Sequence, residues 1–399
     1  MKRYLQNIIQ QDNTHKIILI SGPRQCGKTT LSKALFKYYT YLNYDDADDR
    51  TAIRKKQWLR EGMEAVIFDE LHKMKGWKKW LKGLYDKEGE VGYPRIIVTG
   101  SANMDAFTKV GDSLAGRYFE FRLHPLDNKE LAEWGPKKST ESALIDLLKL
   151  SGFPEPFLKG SEVFYRRWRK THLDVILRQD FIDLTAIRSI KSIEILVDLL
   201  TSRVASPLSF SNLARDLEVD AKTIKTWLTM LENFYVLFKV TPYHHNIARA
   251  ILKEPKFYFF DIPRAKGISK LYKNKDEGPR LENAVACSLL KEIHFLEDTQ
   301  GFTAKLHYLR TRSGQEIDFL IVVEGKPIFC CEVKASDTEP SKALSSFQKM
   351  LGLKDAYQLV LHCPKEKEFD TPEGVHIRNV ANFLSKFSLL DIISKDKDF

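Results

Sequence analysis

Short apolar runs bounded by polar turns recur through the first third of the chain. Ile17–Ile20 (IILI), Ala65–Phe68 (AVIF) and Arg95–Thr99 (RIIVT) have the length and apolar density of strands buried on both faces of a parallel sheet. Tyr41–Tyr44 (YLNY) reads as a further strand, and the alternating run Tyr118–Leu123 (YFEFRL) as the last one. Between the first two strands, Thr30–Tyr39 carries apolar residues at helical spacing. The first third is therefore an α/β sheet domain.

The pattern then changes. From Asp127 to about Ile190 it is helical and basic, broken by Gly152, Pro154 and Pro156. Ser211–Leu217 predicts a short helix, Glu218–Asp220 a tight turn, and Ala221–Phe234 a second helix with Ile224, Trp227, Leu228 and Leu231 on one face. The strand YVLFKV and a partner at Lys256–Phe260 complete a winged helix-turn-helix. Gly267–Gly278 is polar and reads as a linker or mobile loop. Pro279 then opens a helix, and strands follow at Leu306–Thr311, Gln315–Val323 and Ile328–Lys334.

Composition adds bounds to this picture. A chain of 399 residues holds about two to four domains, placed here at 1–125, 126–190, 191–266 and 267–399. The formal net charge of +10 makes a polyanion, nucleic acid first, the expected partner. The five cysteines, Cys26, Cys287, Cys330, Cys331 and Cys363, form no CxxC pair, which argues against a zinc site and a disulfide framework. No apolar run has the length of a membrane span, and Gln and Asp interrupt the N-terminal apolar residues as no signal peptide does. The expected address is the cytoplasm.

Candidate chemistry concentrates in two places. The first is GPRQCGKTT, where Gly22, Gly27, Lys28 and Thr29 match G-x-x-x-x-G-K-[ST] between a strand and a helix. The glycines let the backbone of Pro23, Arg24, Gln25, Cys26 and Thr30 curl so that its N–H groups, which proline alone lacks, point toward phosphate oxygens, and the helix N-terminus adds to the attraction. Lys28 reaches the β and γ phosphates of ATP, and the Thr29 hydroxyl ligates Mg²⁺. Asp69 and Glu70 end a buried strand at the edge where ligands bind in open α/β sheets. Asp69 can hold Mg²⁺ through water, and Glu70 can orient or activate the attacking water. Ser101, on the next strand, either contacts the γ-phosphate or its water, or caps a helix. Arg117, just before the last strand, either supplies positive charge to phosphoryl transfer or forms a surface salt bridge. It can act from the same chain or from a neighbouring copy in a homo-oligomer joined through this domain.

The second place is C-terminal. Glu282 shares a helix face with Val285, Ala286 and Leu289, so its carboxylate points toward a core. Alternation puts Glu316 and Asp318 on one face of their strand, and Glu332 and Lys334 on one face of the next. Glu282, Asp318 and Glu332 can hold Mg²⁺ or Mn²⁺, with Lys334 steering the nucleophilic water, as metal-assisted phosphodiester hydrolysis requires. The alternative is a salt-bridge cluster of Lys334 with Glu332 and Asp318 and no metal; inward acids need a cation in either case. Two basic faces offer DNA contacts: Arg166, Arg167, Arg169, Lys170 and Arg178 among aromatics, and Lys222, Thr223, Lys225 and Thr226 on the second helix. A solvated helix face and a protein-contact role are their respective alternatives.

GPRQCGKTTL, VIFDELHK, VTGSAN, GRYFEFRLHPL, LENAVACSLL, RSGQEIDFLI and CEVKAS occur in this order nearly end to end. The chain thereby resembles a large group of bacterial and archaeal ATP-binding proteins. These join an AAA-type P-loop domain to a winged helix and a C-terminal domain of uncharacterised function with a restriction-nuclease-like PD-(D/E)xK core. The resemblance implies an AAA/ASCE-type ATPase sheet with a helical lid, a winged helix-turn-helix and a restriction-endonuclease-like α/β domain. Ile317 stands where the nuclease motif has proline, and no second ATP-sensing arginine is evident in the helical lid. Two functions follow: an ATPase acting on DNA whose cycle gates a nuclease-like domain, or a nucleotide-gated switch whose later domains bind partners.

Overall fold

A computed structural model describes residues 2–12, 16–88, 94–103, 114–134, 139–180, 190–243, 254–265, 277–311 and 314–395. By their contacts these fall into two compact units. The first comprises Met1–Pro125, His172–Ile187 and Asn233–Tyr235, and the second Leu126–Thr171, Arg188–Glu232 and Val236–Phe399.

The first unit is built on a five-stranded sheet of β1 (Ile17–Ser21), β2 (Tyr39–Asn43), β3 (Ala65–Asp69), β4 (Arg95–Gly100) and β5 (Tyr118–Arg122). Their order is β2-β3-β4-β1-β5 and every pairing is parallel. Strands β1 and β3 are buried at every position, so both faces must be covered, and their unbroken apolar runs follow from that. Helices α1 (Gln6–Asp12), α2 (Lys28–Ala34), α3 (Ala47–Lys55) and α4 (Trp77–Glu88) belong to this unit. On one side Val66, Phe68 and Val98 pack with Trp58, Trp77 and Leu81. The helix after the phosphate loop ends earlier than its periodicity predicts. Tyr39 already pairs with Ala65 in β2, and the sheet pairing of Tyr39–Asn43 overrides the helical pattern.

The second unit contains α5 (Asn128–Glu133), α6 (Thr140–Leu150), α7 (Pro154–Lys159), α8 (Glu162–Val175, through Thr171), α9 (Ile190–Thr201), α10 (Phe210–Asp216) and α11 (Ala221–Asn233, through Glu232). After these come β6 (Leu237–Pro242), β7 (Lys256–Phe259), α12 (Glu277–Gln300), β8 (Ala304–Arg310), β9 (Glu316–Val323) and β10 (Lys326–Lys334). The chain closes through α13 (Lys342–Leu351), β11 (Ala356–Val360), β12 (Phe369–Asp370), β13 (Val375–Asn379), α14 (Val380–Leu384) and α15 (Leu389–Ile393). Strands β6 to β13 form one mixed sheet in the order β12-β13-β11-β10-β9-β8-β6-β7.

Helices α10 and α11 and the antiparallel β6–β7 pair occupy the segments from which the sequence predicts a helix-turn-helix and wing, and Ile224, Trp227, Leu228 and Leu231 are buried as their spacing requires. The wing is not confined to that motif. Thr241 and Pro242 of β6 pair in parallel with His307 and Tyr308 of β8, which extends the C-terminal sheet through the hairpin. Helix α12 begins at Glu277, two residues before Pro279; a proline is tolerated there because first-turn N–H groups have no intrahelical partner. Of the loop predicted at Gly267–Gly278, residues 267–276 lie outside the described residues, and Glu277 and Gly278 belong to the helix.

Candidate functional site

The phosphate loop leaves β1 at Ser21 and enters α2 at Lys28. Gly22 has φ 146°, and a Cβ there would stand 2.2 Å from the carbonyl oxygen of Leu123, so only glycine fits. Gly27 precedes the helix with φ 100°. Lys28 is buried, and its Nζ donates to the carbonyls of Gly22 (2.9 Å) and Pro23 (2.7 Å). These partners are neutral, so the ammonium keeps its full charge for an anion in the loop. The Thr29 hydroxyl donates to Asp69 Oδ2 at 2.8 Å. Asp69 also accepts from the Tyr41 hydroxyl at 2.7 Å and from the Thr99 hydroxyl. Burial and the Asp69 carboxylate push the Tyr41 phenol well up, so it stays a donor. A hydroxyl and a carboxylate side by side at the mouth of a glycine loop are hard oxygen donors suited to Mg²⁺.

Glu70 follows Asp69 with φ 56° and ψ 24°, a left-handed conformation rarely taken by a non-glycine residue. Its N–H donates to the Thr99 carbonyl at 2.9 Å, and its Oε2 accepts from the Ser101 hydroxyl at 3.0 Å. Lys73 Nζ lies 3.8 Å and His72 Nε2 3.7 Å from the same carboxylate. Burial lowers the His72 pKa, partly opposed by Glu70, which keeps the imidazole neutral near pH 7. Strand β3 thus delivers two adjacent carboxylates, one beside the Thr29 hydroxyl and one held by the end of β4.

The C-terminal carboxylates also come together, but around a residue the sequence pattern did not single out. Lys256 of β7 is 1 % exposed, and its Nζ lies 2.6 Å from Glu316 Oε1, 3.3 Å from Glu282 Oε1 and 3.9 Å from Asp318 Oδ1. The Tyr258 hydroxyl donates to Glu282 at 2.7 Å. Burial opposes the Lys256 charge, but Glu282, Asp318 and Glu316 outweigh it and hold the ammonium protonated. Burial, then Glu282, pushes the Asp318 carboxyl up to about 8. Asp318 Oδ2 accepts from the Val333 N–H at 2.8 Å, which fixes the β9–β10 contact. Lys334 pairs with Glu332 at 2.5 Å, and Glu332 Oε2 is buried without a hydrogen-bond partner. Glu282 and Asp318, read as metal ligands, thus surround Lys256, and Glu332 pairs with Lys334, an arrangement that follows the salt-bridge alternative with Lys256 added. The cation that inward carboxylates require is the Lys256 ammonium, and no group of three or more His, Cys, Asp or Glu among the described residues is arranged to hold a metal ion.

Residues 14–132 match the AAA domain family, 141–264 a domain of unknown function (DUF8612), and 277–383 a second domain of unknown function (DUF4143). The N-terminal sheet is an AAA-type P-loop ATPase domain. Over 365 residues the chain is 25 % identical to an uncharacterized protein of Methanocaldococcus jannaschii, covering 84 % of this chain and 79 % of that one. Over 414 residues it is 25 % identical to an uncharacterized protein of Haemophilus influenzae, covering 96 % and 98 %. Among solved structures it is similar to the Thermotoga maritima RuvB Holliday junction branch migration motor, at 16 % identity and a TM-score of 0.29. That match covers 59 % of this chain and 86 % of that one, and is too loose to carry an argument.

Within the AAA domain, Ser101 is buried and serves Glu70 directly. Of the roles read for Arg117, the structure shows the surface salt bridge. Its carbonyl accepts from the Ile17 N–H at the start of β1, so it lies at the end of the sheet opposite the phosphate loop, and its guanidinium pairs with Asp86 at 2.7 Å. It cannot reach the phosphate site of its own chain. Three supports of the loop escaped sequence reasoning. Arg3 donates to the Cys26 carbonyl at 2.7 Å, His172 Nε2 lies 3.1 Å from the Arg24 carbonyl, and the Tyr235 hydroxyl donates to Ser21 Oγ at 3.1 Å. Each comes from a distant segment, and no local pattern marks it.

On α11, Lys222, Lys225 and Thr226 are exposed, whereas Thr223 is tied to Asp220 by bonds of 2.7 and 2.8 Å. Arg166, Arg167 and Lys170 occupy the exposed face of α8 opposite buried Tyr165 and Trp168; Arg166 lies 3.6 Å from Glu162, and Arg178 pairs with Asp174. No described helix is long and apolar enough to cross a membrane.

Proposed function

We propose that this protein binds and hydrolyses ATP in its AAA domain and uses the nucleotide state to switch the modules that follow, with DNA as the partner of the exposed α11 face. The carrying observation is the pair Thr29 Oγ1–Asp69 Oδ2 at 2.8 Å with Glu70 held beside it by Ser101. Loop N–H groups and Lys28 bind the phosphates. Thr29 and Asp69 hold Mg²⁺, which neutralises phosphate oxygens when bound. Glu70 accepts the proton of the attacking water, and Ser101 fixes the carboxylate for that task. Arg117 contributes only if copies associate so that it meets the phosphate site of a neighbour. The deciding experiment is steady-state ATPase of the wild type and Glu70→Gln, with and without duplex DNA. Turnover by the wild type that is lost in the variant supports the reading; equal rates refute it.

The convergence of Asp318, Glu332 and Lys334 on adjacent strands favours a second reading, metal-dependent phosphodiester cleavage by the C-terminal domain. That reading requires Lys256 to leave the carboxylates. A cleavage assay on DNA and RNA with Mg²⁺ or Mn²⁺, with and without ATP, tests it; no cleavage under any combination leaves the cluster as a structural ion network.

A further inference from the structure

The turn after α11 belongs by its contacts to the AAA unit: Asn233, Phe234 and Tyr235 cluster with it, while the residues on either side do not. Two bonds hold this turn. The Asn233 carbonyl, at the last residue of α11, accepts from the Asn103 N–H at 2.8 Å, two residues beyond Ser101. The Tyr235 hydroxyl donates to Ser21 Oγ at 3.1 Å, and Ser21 in turn donates to Glu120 Oε1 at 2.8 Å. Ser21 is fully buried and directly precedes Gly22. Tyr235 itself is buried and has φ 54°, a backbone conformation that a bulky side chain adopts only when its surroundings impose it.

We infer that Tyr235 is a positioning residue for the phosphate loop, and that with Asn233 it forms a hook through which the 233–235 turn senses nucleotide. Lys28 now bonds the carbonyls of Gly22 and Pro23. To reach phosphate it must release them, and the backbone that readjusts is the one next to Ser21. Ser21 cannot shift without loading or loosening the Tyr235 hydroxyl bond, and Ser101, which holds Glu70, is two residues from the other anchor. One anchor is thus the last residue of β1, directly before the loop, and the other lies three residues beyond the end of β4; a left-handed residue kept in place by such anchors is poised to relax when they move.

This inference rests on ATP binding in the AAA domain, and the test separates the two. Hydrogen exchange of the full chain is measured with and without MgATP in the wild type and in Tyr235→Phe, which keeps the ring and removes only the hydroxyl. The expected result is slower exchange with MgATP at residues 20–30 in both proteins, and at 231–236 in the wild type alone. In the same variant kcat/KM for ATP falls about two- to tenfold, the range for one buried neutral hydrogen bond, at a temperature where both proteins are fully folded. A merely structural tyrosine would lower the melting temperature without abolishing the nucleotide response at 231–236. Protection at 20–30 without any at 231–236 in the wild type overturns the hook and leaves ATP binding standing. No protection at either place overturns both.

Discussion

The ammonium of Lys256 stands 2.6 Å from Oε1 of Glu316, with Glu282 and Asp318 on its other sides. Lys256 is 1 % exposed, whereas the Lys334 side chain is 34 % exposed beside Glu332. Removing the buried partner strands several carboxylates, so Lys256→Ala should cost about 3–5 kcal/mol. Lys334 is itself a third exposed and faces the single buried carboxylate of Glu332, so Lys334→Ala should cost less, about 1–3 kcal/mol. Urea unfolding of both variants checks the order. A larger loss for Lys334→Ala would transfer the counter-charge role back to Lys334.

Asp318 gives this cluster a pH signature. Its carboxyl is raised to about 8, by burial first and Glu282 second, against 3.8 for the free group. Between those values the folded state holds a proton that the unfolded state has lost, so the Asp318 contribution to stability falls as pH rises. It is fully present below pH about 4 and gone above pH about 8. Relative to Asp318→Asn, the wild type should lose melting temperature steadily from pH 5 to 8. Parallel melting curves for the two proteins across that range would show that Asp318 does not titrate there.

Lys28 and Glu70 should fail in different ways. Lys28→Ala removes the buried ammonium from the loop, and binding of a fluorescent ATP analogue should drop below detection at micromolar concentrations. Glu70→Gln keeps the side-chain contacts but takes away the base, so binding should persist while turnover falls at least about 100-fold. Equilibrium titration and a phosphate-release assay separate the two phenotypes. Loss of binding in Glu70→Gln would place Glu70 in the architecture of the loop and not in the chemistry.

DNA affinity, on the proposed reading, is electrostatic and centred on α11. Affinity should fall by roughly tenfold or more between 50 and 200 mM salt for several phosphate contacts. The double charge reversal Lys222→Glu with Lys225→Glu should weaken binding and flatten the salt dependence. Fluorescence anisotropy with a labelled duplex measures both. An unchanged slope in the double variant would move the contact to the basic face of α8 or remove DNA from the function.

Much of this protein was legible in its residues alone. The unbroken apolar runs of β1 and β3 mark a doubly covered parallel sheet, because only burial on both faces tolerates such runs. The spacing of Gly22, Gly27, Lys28 and Thr29 defines the loop, and Asp69 and Glu70 fall at the correct strand end, because chain direction alone decides which edge a parallel strand presents. Alternation likewise placed Asp318 and Glu332 together, since side chains on a strand repeat every second residue. Tertiary structure decided what sequence spacing cannot encode. Parallel pairing of Ile17 with Tyr118 put Arg117, just before β5, at the far end of the sheet from the loop that follows β1. The pairing of β6 with β8 carried Lys256 of the wing into the C-terminal sheet, where its charge answers carboxylates that follow it by 26, 60 and 62 residues. The supports at Arg3, His172 and Tyr235 reach the loop from distant segments. Contacts of that kind depend on which surfaces meet after folding, and hydrophobic period and local spacing carry no record of them.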